Sequence, residues 1–310
     1  MLARLLPLAR LARPHGVIIT TVTAAHLEYF PTVEAIADAK AEILEGLEPG
    51  GVAVFNHDIR HFERLYRHAR RLGVERVISF GQHIGAQARL LDCAVDKDGT
   101  VVLALVGDEA LSYTLPVAGR HWALNSLGVL ALGQSLGFDP TRAARALARL
   151  EVPAGRGRRH TVSRAEGSLT LLDESYNASP ESMIAALLAL SQTRPGPGGR
   201  RVAVLGDMLE LGTQAPALHA GLARTVLDRG VDLVYTAGPL MAHLDAALPA
   251  SVRGAHAPDA EALARIVSDA VRPGDVVMVK GSHGSKVGRV VAALLAPSRP
   301  ETGAGAPLGH

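Results

Sequence analysis

The sequence predicts an α/β protein of two consecutive parts, each a mostly parallel sheet wrapped by helices. Three observations predict it. Short β-branched runs alternate with longer amphipathic stretches along most of the chain, the pattern of strands joined by crossover helices. Several of these runs are apolar throughout, as in strands buried on both faces. The length of 310 residues suits two domains of about 150 residues each.

Composition narrows the function classes. With 48% hydrophobic and 20% charged residues, the chain has ample material for two cores and is not disordered. The 32 Gly and 18 Pro follow no G-X-Y period, which excludes collagen. The 32 basic residues against 30 acidic ones leave a net charge of +2, too balanced to imply a nucleic-acid partner. No apolar run approaches the ~18 residues of a membrane-spanning helix. A single cysteine, Cys93, excludes a disulfide framework and a multi-cysteine zinc site, and fits a reducing, cytoplasmic setting. Lysine is confined to Lys40, Lys97, Lys280 and Lys286, so each merits inspection.

No acid precedes Glu28, and Arg4, Arg10 and Arg13 stand among Leu and Ala, as in transit peptides. The interruption at Pro7, the lack of Ser and the direct passage into a strand favour a chain that begins inside a domain. Val17 to Val22 is β-branched and reads as a buried strand. Pro31 to Leu47 reads as a helix closed by Gly46 and followed by Pro49-Gly-Gly51. Val52 to Phe55 is a strand, Asp58 to Leu72 a helix and Val77 to Phe80 a strand. Leu91 to Val95 and Thr100 to Leu105 flank Asp96-Lys-Asp-Gly99, a hairpin signal. His121 to Leu136 is an apolar helix, and Asp139 caps a further one with Pro140 at its first position.

Glu151 to Arg159 is rich in Gly, Pro and charge and reads as a linker. The domains are therefore expected at 1–151 and 152–297, with a disordered tail at 298–310. In the second part the strands are Leu169 to Leu172, Val202 to Leu205, Leu233 to Thr236 and Val276 to Val279. The helices are Glu181 to Gln192, Ala215 to Arg229 and Ala260 to Val271. Ligands of such sheets sit at the C-terminal strand ends. Those ends carry Asp173-Glu-Ser-Tyr-Asn177, Gly206-Asp207, Ala237-Gly238 and Lys280-Gly-Ser-His283.

Lys40 falls on the apolar face set by Val33, Ile36, Ile43 and Leu44. A buried ammonium must be paired, reach the rim or lose its proton. Glu28 is one possible partner. The other reading is a functional amine with a depressed pKa, able to take up carbon dioxide as a carbamate, an oxygen ligand for a hard cation. His26 follows the first strand, where ligands are offered, although a lone His is more often structural. Ser179-Pro180 caps a helix, which leaves Asp173 and Asn177 for another role. Lys280 after the last strand suggests anion recognition. The chain contains no G-x-x-x-x-G-K-[ST] phosphate loop, and no G-x-G-x-x-G fingerprint opens the second part.

Taken together, Thr23-Ala-Ala-His-Leu-Glu28, Ala39-Lys-Ala-Glu-Ile43, Gly119-Arg-His-Trp-Ala-Leu-Asn125, Asp173-Glu-Ser-Tyr-Asn-Ala-Ser-Pro180, Leu205-Gly-Asp-Met-Leu-Glu-Leu-Gly212 and Val279-Lys-Gly-Ser282 resemble the Mur ligase family of peptidoglycan synthesis. The motifs occur in the family's order and span most of residues 1 to 295. The resemblance implies a truncated central ATPase-type α/β domain followed by a Rossmann-like C-terminal domain. It implies ATP and Mg2+, with UDP-N-acetylmuramoyl-tripeptide and D-alanyl-D-alanine joined through an acyl phosphate. His26 would be a magnesium ligand and Lys40, as a carbamate, would hold a second magnesium. Asn125, Arg156 and Asp173 would lie at the nucleotide. Asn177, Lys280 and Ser282 would serve the dipeptide or the phosphate.

The chain departs from the family pattern in lacking the N-terminal domain and the phosphate loop. Trp122 replaces an adenine-contacting Asn, and His283 replaces an Arg. The resemblance therefore implies a chain inactive by itself, as a truncated product, a mis-placed start, or one half of an enzyme with a separate N-terminal half. The alternatives are a non-catalytic binding module and another Mur-type ligase, such as a folate polyglutamate ligase.

Overall fold

The computed structural model describes residues 5–24, 27–96 and 99–296. In the first unit the elements are α1 (Leu5–Ala12), β1 (Gly16–Ile19), α2 (Val33–Ala41), β2 (Val52–Asn56), α3 (Phe62–Arg71), β3 (Arg76–Gly81), β4 (Ala88–Asp96), β5 (Gly99–Val106), β6 (Glu109–Leu115), α4 (Arg120–Ser135) and α5 (Pro140–Leu147). The strands lie in sequence order in one sheet. β1 to β4 run parallel, while β5 is antiparallel to both β4 and β6. All five residues of β2 are buried, as its continuous apolar run requires. One face packs Val17, Ile19 and Phe55 against Ile36 of α2 and Leu65 of α3. The other packs Val54, Phe80 and Val102 against Ala123, Leu127 and Leu130 of α4.

The second unit contains β7 (Arg158–Arg164), β8 (Gly167–Glu174), α6 (Pro180–Gln192), β9 (Arg201–Gly206), α7 (Ala215–Asp228), β10 (Leu233–Ala237), α8 (Met241–Ala247), β11 (Arg253–Ala257), α9 (Ala260–Ala270), β12 (Val276–Lys280) and α10 (Gly288–Leu295). Its strand order is β11-β10-β9-β12-β8-β7. All pairs are parallel except β7 with β8. α6, α7 and α8 cover one face and α9 and α10 the other. The direction of travel reverses between β9 and β12, so a crevice opens beyond their C-terminal ends, where such sheets bind ligands.

The strand expected over Val17 to Val22 stops at Ile19. Side chains then take over the backbone acceptors: Asn56 donates to Thr20 O (2.9 Å) and Lys40 to Thr21 O (2.8 Å). The helix expected to Leu47 tightens to a 3-10 turn at Glu42–Gly46, where Gly46 lies hard against the Ala9 backbone. The helix expected from Asp58 begins at Phe62, because the Asp58 carboxylate receives the N–H groups of Gln82 and His83 instead. Asp139 caps α5 by accepting from Arg142 N. β6, α8, β11 and α10 carried too little pattern to be expected, and the linker reading of Glu151 to Arg159 runs into β7 from Arg158. The expected disordered tail at 298–310 lies outside the described residues.

Candidate functional site

The C-terminal strand ends of the two units face each other across a cleft of about 680 Å3. Thr21, Thr23 and Lys40 line it from the first unit, with His121, Trp122 and Asn125 of α4. The second unit contributes the loops after β8, β9 and β12. A smaller recess of about 320 Å3 continues it toward Asn56 and the first turn of α6.

Those three loops are laced together from behind. Lys280 Nζ donates to Asn177 O (2.9 Å) and lies 3.9 Å from Glu174 Oε2. Ser282 Oγ accepts from Leu209 N (2.9 Å), and Ser282 N donates to Asp207 O (2.9 Å). Buried His219 accepts from Met208 N at Nε2 (2.9 Å), while its Nδ1 meets Ala215 O (2.6 Å), so Nδ1 carries the proton. Lys280 and Ser282 are each only 4% exposed. Much of their polar capacity holds the loops in register, a duty their chemistry alone did not announce.

Asp173 is likewise turned inward. Its carboxylate accepts from Gly155 N (2.8 Å), Ser175 N (3.2 Å) and Ser175 Oγ (2.6 Å). Gly157 N donates to Asp173 O (2.8 Å), and Tyr176 N to Gly155 O (3.0 Å). Gly155 and Gly157 have φ of +77° and +88°, a backbone region that favours glycine. A Cβ at 155 would lie 2.8 Å from Tyr176 N. The segment carrying Arg156 is thus stapled to the β8–α6 loop.

Of the two acids that end β8, the one that lines the cleft is Glu174, which sequence reasoning passed over in favour of its neighbour. Strand periodicity held the signal: adjacent residues of β8 point to opposite faces, so only one of the two can reach the cleft. Burial raises the Glu174 pKa and lowers that of Lys280, and each charge partly reverses the other's shift. Burial, with Lys280 adding repulsion, pushes His121 down to about 4, so it is neutral at pH 7. Trp122 Nε1 is buried and has no hydrogen-bond partner among the described residues. A Cβ on Gly157 would lie 3.2 Å from both Trp122 Nε1 and Glu174 Oε1.

Lys40 is half-buried, and burial lowers its pKa. Its amine meets the Thr21 carbonyl, and among the described residues no carboxylate, Glu28 included, pairs with it. Asn125 lines both the cleft and its recess. Arg156 is exposed at the cleft mouth, with its guanidinium carbon 3.8 Å from the Tyr176 ring centroid. Asn177 is exposed, and its Oδ1 accepts from Ala178 N (2.9 Å). His26 lies outside the described residues. The cleft therefore gathers Lys40, Asn125, Arg156, Asn177, Lys280 and Ser282, whereas Asp173 stands behind it. Tyr176 and His121 also line it and were not singled out beforehand.

The Mur ligase middle domain matches residues 3–133, and the Mur ligase glutamate ligase domain matches residues 157–283. The chain belongs to the Mur ligase family. It is 29% identical over 284 residues to the UDP-N-acetylmuramoyl-tripeptide–D-alanyl-D-alanine ligase of Rickettsia prowazekii, covering 92% of this chain and 62% of that one. It is 34% identical over 295 residues to the enzyme of the same name from Synechocystis, covering 93% and 60%. The crystal structure of MurF ligase from Thermotoga maritima in complex with ADP superposes with a TM-score of 0.78 at 26% identity, covering 93% and 63%. The chain thus spans about three fifths of the length of the curated relatives it matches. Among the described residues no helix is long and apolar enough to cross a membrane.

Proposed function

We propose that this Mur ligase chain supplies much of the cleft in which ATP drives an amide bond between UDP-N-acetylmuramoyl-tripeptide and D-alanyl-D-alanine. The observation that carries the reading is the pairing, in one interdomain cleft, of a half-buried Lys40 and an Arg156 fork, neither of which meets a carboxylate among the described residues. The buried part of the lysine is held at some cost, and such charges mark ligand sites, while the exposed arginine keeps its in-plane donors available at the cleft mouth.

In this reading the Arg156 guanidinium receives phosphate oxygens with its in-plane N–H groups. Asn125 and Glu174 face the nucleotide from opposite walls. Asp173 acts one step back, by fixing Gly155. The exposed Asn177 amide faces the incoming dipeptide, while Lys280 and Ser282 keep its loop in place. Closure of the two units, 1–151 and 152–297, would exclude water that would otherwise hydrolyse an acyl phosphate.

Lys40 and His26 would hold magnesium. An amine offers no oxygen to a hard cation, but a carbamate does, and the burial that lowers the Lys40 pKa favours the neutral amine that carbamylation needs. When bound, magnesium would offset the charge gathered on the phosphate oxygens.

The sequence carries no phosphate loop, whose backbone N–H groups and lysine hold nucleotide phosphates elsewhere. Amide synthesis by this chain alone is therefore expected to be absent, and clear turnover would overturn that expectation. The binding reading is tested by calorimetry with ATP, magnesium and bicarbonate on the wild type, Arg156→Ala and Lys40→Ala. Heat of binding that both substitutions diminish supports the cleft assignment. Binding indifferent to both, or no binding at all, sinks it for this chain.

A further inference from the structure

Arg156 differs from the ion-paired arginines of the chain in what holds it. Arg13, Arg64, Arg200 and Arg289 each meet an acid: Glu48, Asp38, Asp275 and Glu261 respectively. Arg156 meets no acid among the described residues. Its guanidinium lies instead over the face of Tyr176, 3.8 Å from the ring centroid, well within cation–π range.

A guanidinium stacked by its face keeps its edge available. The contact uses the π surface, and the N–H donors lie in the plane. Stacking also removes rotamer freedom that a long side chain would otherwise lose when a ligand arrives. The stack is built from the backbone upward. Asp173 holds Gly155 N, and Tyr176 N donates to Gly155 O (3.0 Å), so the ring and the arginine are set on two strands of chain locked side by side. The ring of His283 stands 6.1 Å from Tyr176, tilted by 50°.

We propose that Tyr176 is a positioning residue that holds the Arg156 fork edge-on to the cleft as a pre-set receptor for the oxygens of a polyphosphate. The inference rests on the reading of the cleft as a phosphate-donor site, and goes beyond it by giving Tyr176 a role that requires its ring and not its hydroxyl.

The test compares Tyr176→Phe with Tyr176→Leu in the full chain, using inorganic triphosphate as the probe. The side-chain N–H signal of Arg156, assigned by its loss in Arg156→Lys, should show a ring-current displacement in wild type and Tyr176→Phe and none in Tyr176→Leu. Triphosphate should bind Tyr176→Phe like wild type and Tyr176→Leu about two- to five-fold more weakly, the span expected for an exposed cation–π contact. Far-UV circular dichroism verifies that each variant is folded.

An Arg156 signal unchanged in Tyr176→Leu overturns the proposal, as does equal triphosphate affinity in all three proteins. Absence of triphosphate binding to wild type overturns it as well. Triphosphate binding that follows the aromatic ring, without any binding of ATP, upholds Tyr176 and refutes the nucleotide reading instead.

Discussion

Replacing Asp173 tests whether a buried carboxylate behind the cleft, rather than any group inside it, sets the site. The side chain is 4% exposed and accepts three hydrogen bonds, from Gly155 N, Ser175 N and Ser175 Oγ. Hydrogen bonds to a charged acceptor contribute about 1.5–3 kcal/mol each, and a buried donor left unpaired costs about 1–3 kcal/mol. Ser175 is half-buried and regains water, whereas the buried Gly155 N–H does not. Asp173→Ala should therefore destabilise the chain by about 3 kcal/mol. Asp173→Asn keeps one acceptor oxygen but turns an amide N–H toward a donor, so about 1.5 kcal/mol is expected. Urea unfolding reads both as shifts in midpoint at constant slope. Trp122, the chain's single tryptophan, packs beside Gly157 and should report the loosened loop as a change in emission. Losses below about 0.5 kcal/mol for both variants, the range of ordinary surface substitutions, would refute the reasoning.

Three further outcomes are expected. The Arg64 fork and His68 hold Asp38 from 3.8 down to about 2, worth at most about 2.4 kcal/mol and about 1 kcal/mol after screening, since the carboxylate is 39% exposed. A depressed acid stabilises fully above its unfolded pKa and loses that contribution as pH falls through its folded one. Acid titration between about pH 4 and 2 should thus show a component missing from Asp38→Asn, and superimposable profiles would count against it. Lys280→Met should cost about 3–5 kcal/mol by stranding Glu174, and more at pH 8 than at pH 5, because burial raises this carboxyl's pKa and the neutral acid, favoured as pH falls, needs no cationic partner. Urea midpoints at the two pH values decide it, and an equal loss at both would contradict the pairing. Leu187→Ala, in the fully buried α6–sheet layer, should cost about 3 kcal/mol, and a loss under about 1 kcal/mol would contradict that packing.

Local chemistry was enough for the two α/β units and for most of their central strands. Uniform β-branched runs such as Val52 to Phe55 and Val202 to Leu205 can satisfy their side chains only when buried on both faces, whatever surrounds them. Caps such as Asp139 and Ser179 act within three residues, so they too were legible. The edge strands β7 and β11 were not, because Arg158–Arg164 is largely polar, Arg253–Ala257 has no β-branched or large apolar residue, and both owe their pairing to other strands.

The same division runs through the site. The residue types that line the cleft stood in the sequence, and Lys40 could be placed on a partly buried helix face by counting turns. Which acid looks into the cleft depended on the twist and pairing of β8, which turn Asp173 toward Gly155 and Glu174 toward Lys280. Whether a lysine or serine meets a ligand or its own chain depended on which loops converge behind it. These are long-range contacts, spanning 103 residues between Lys280 and Asn177, and no local pattern encodes them. Sequence by itself determined the elements and the chemical inventory of the cleft. The tertiary structure decided which groups are consumed in holding the loops and which, like the Arg156 guanidinium, meet no acid among the described residues.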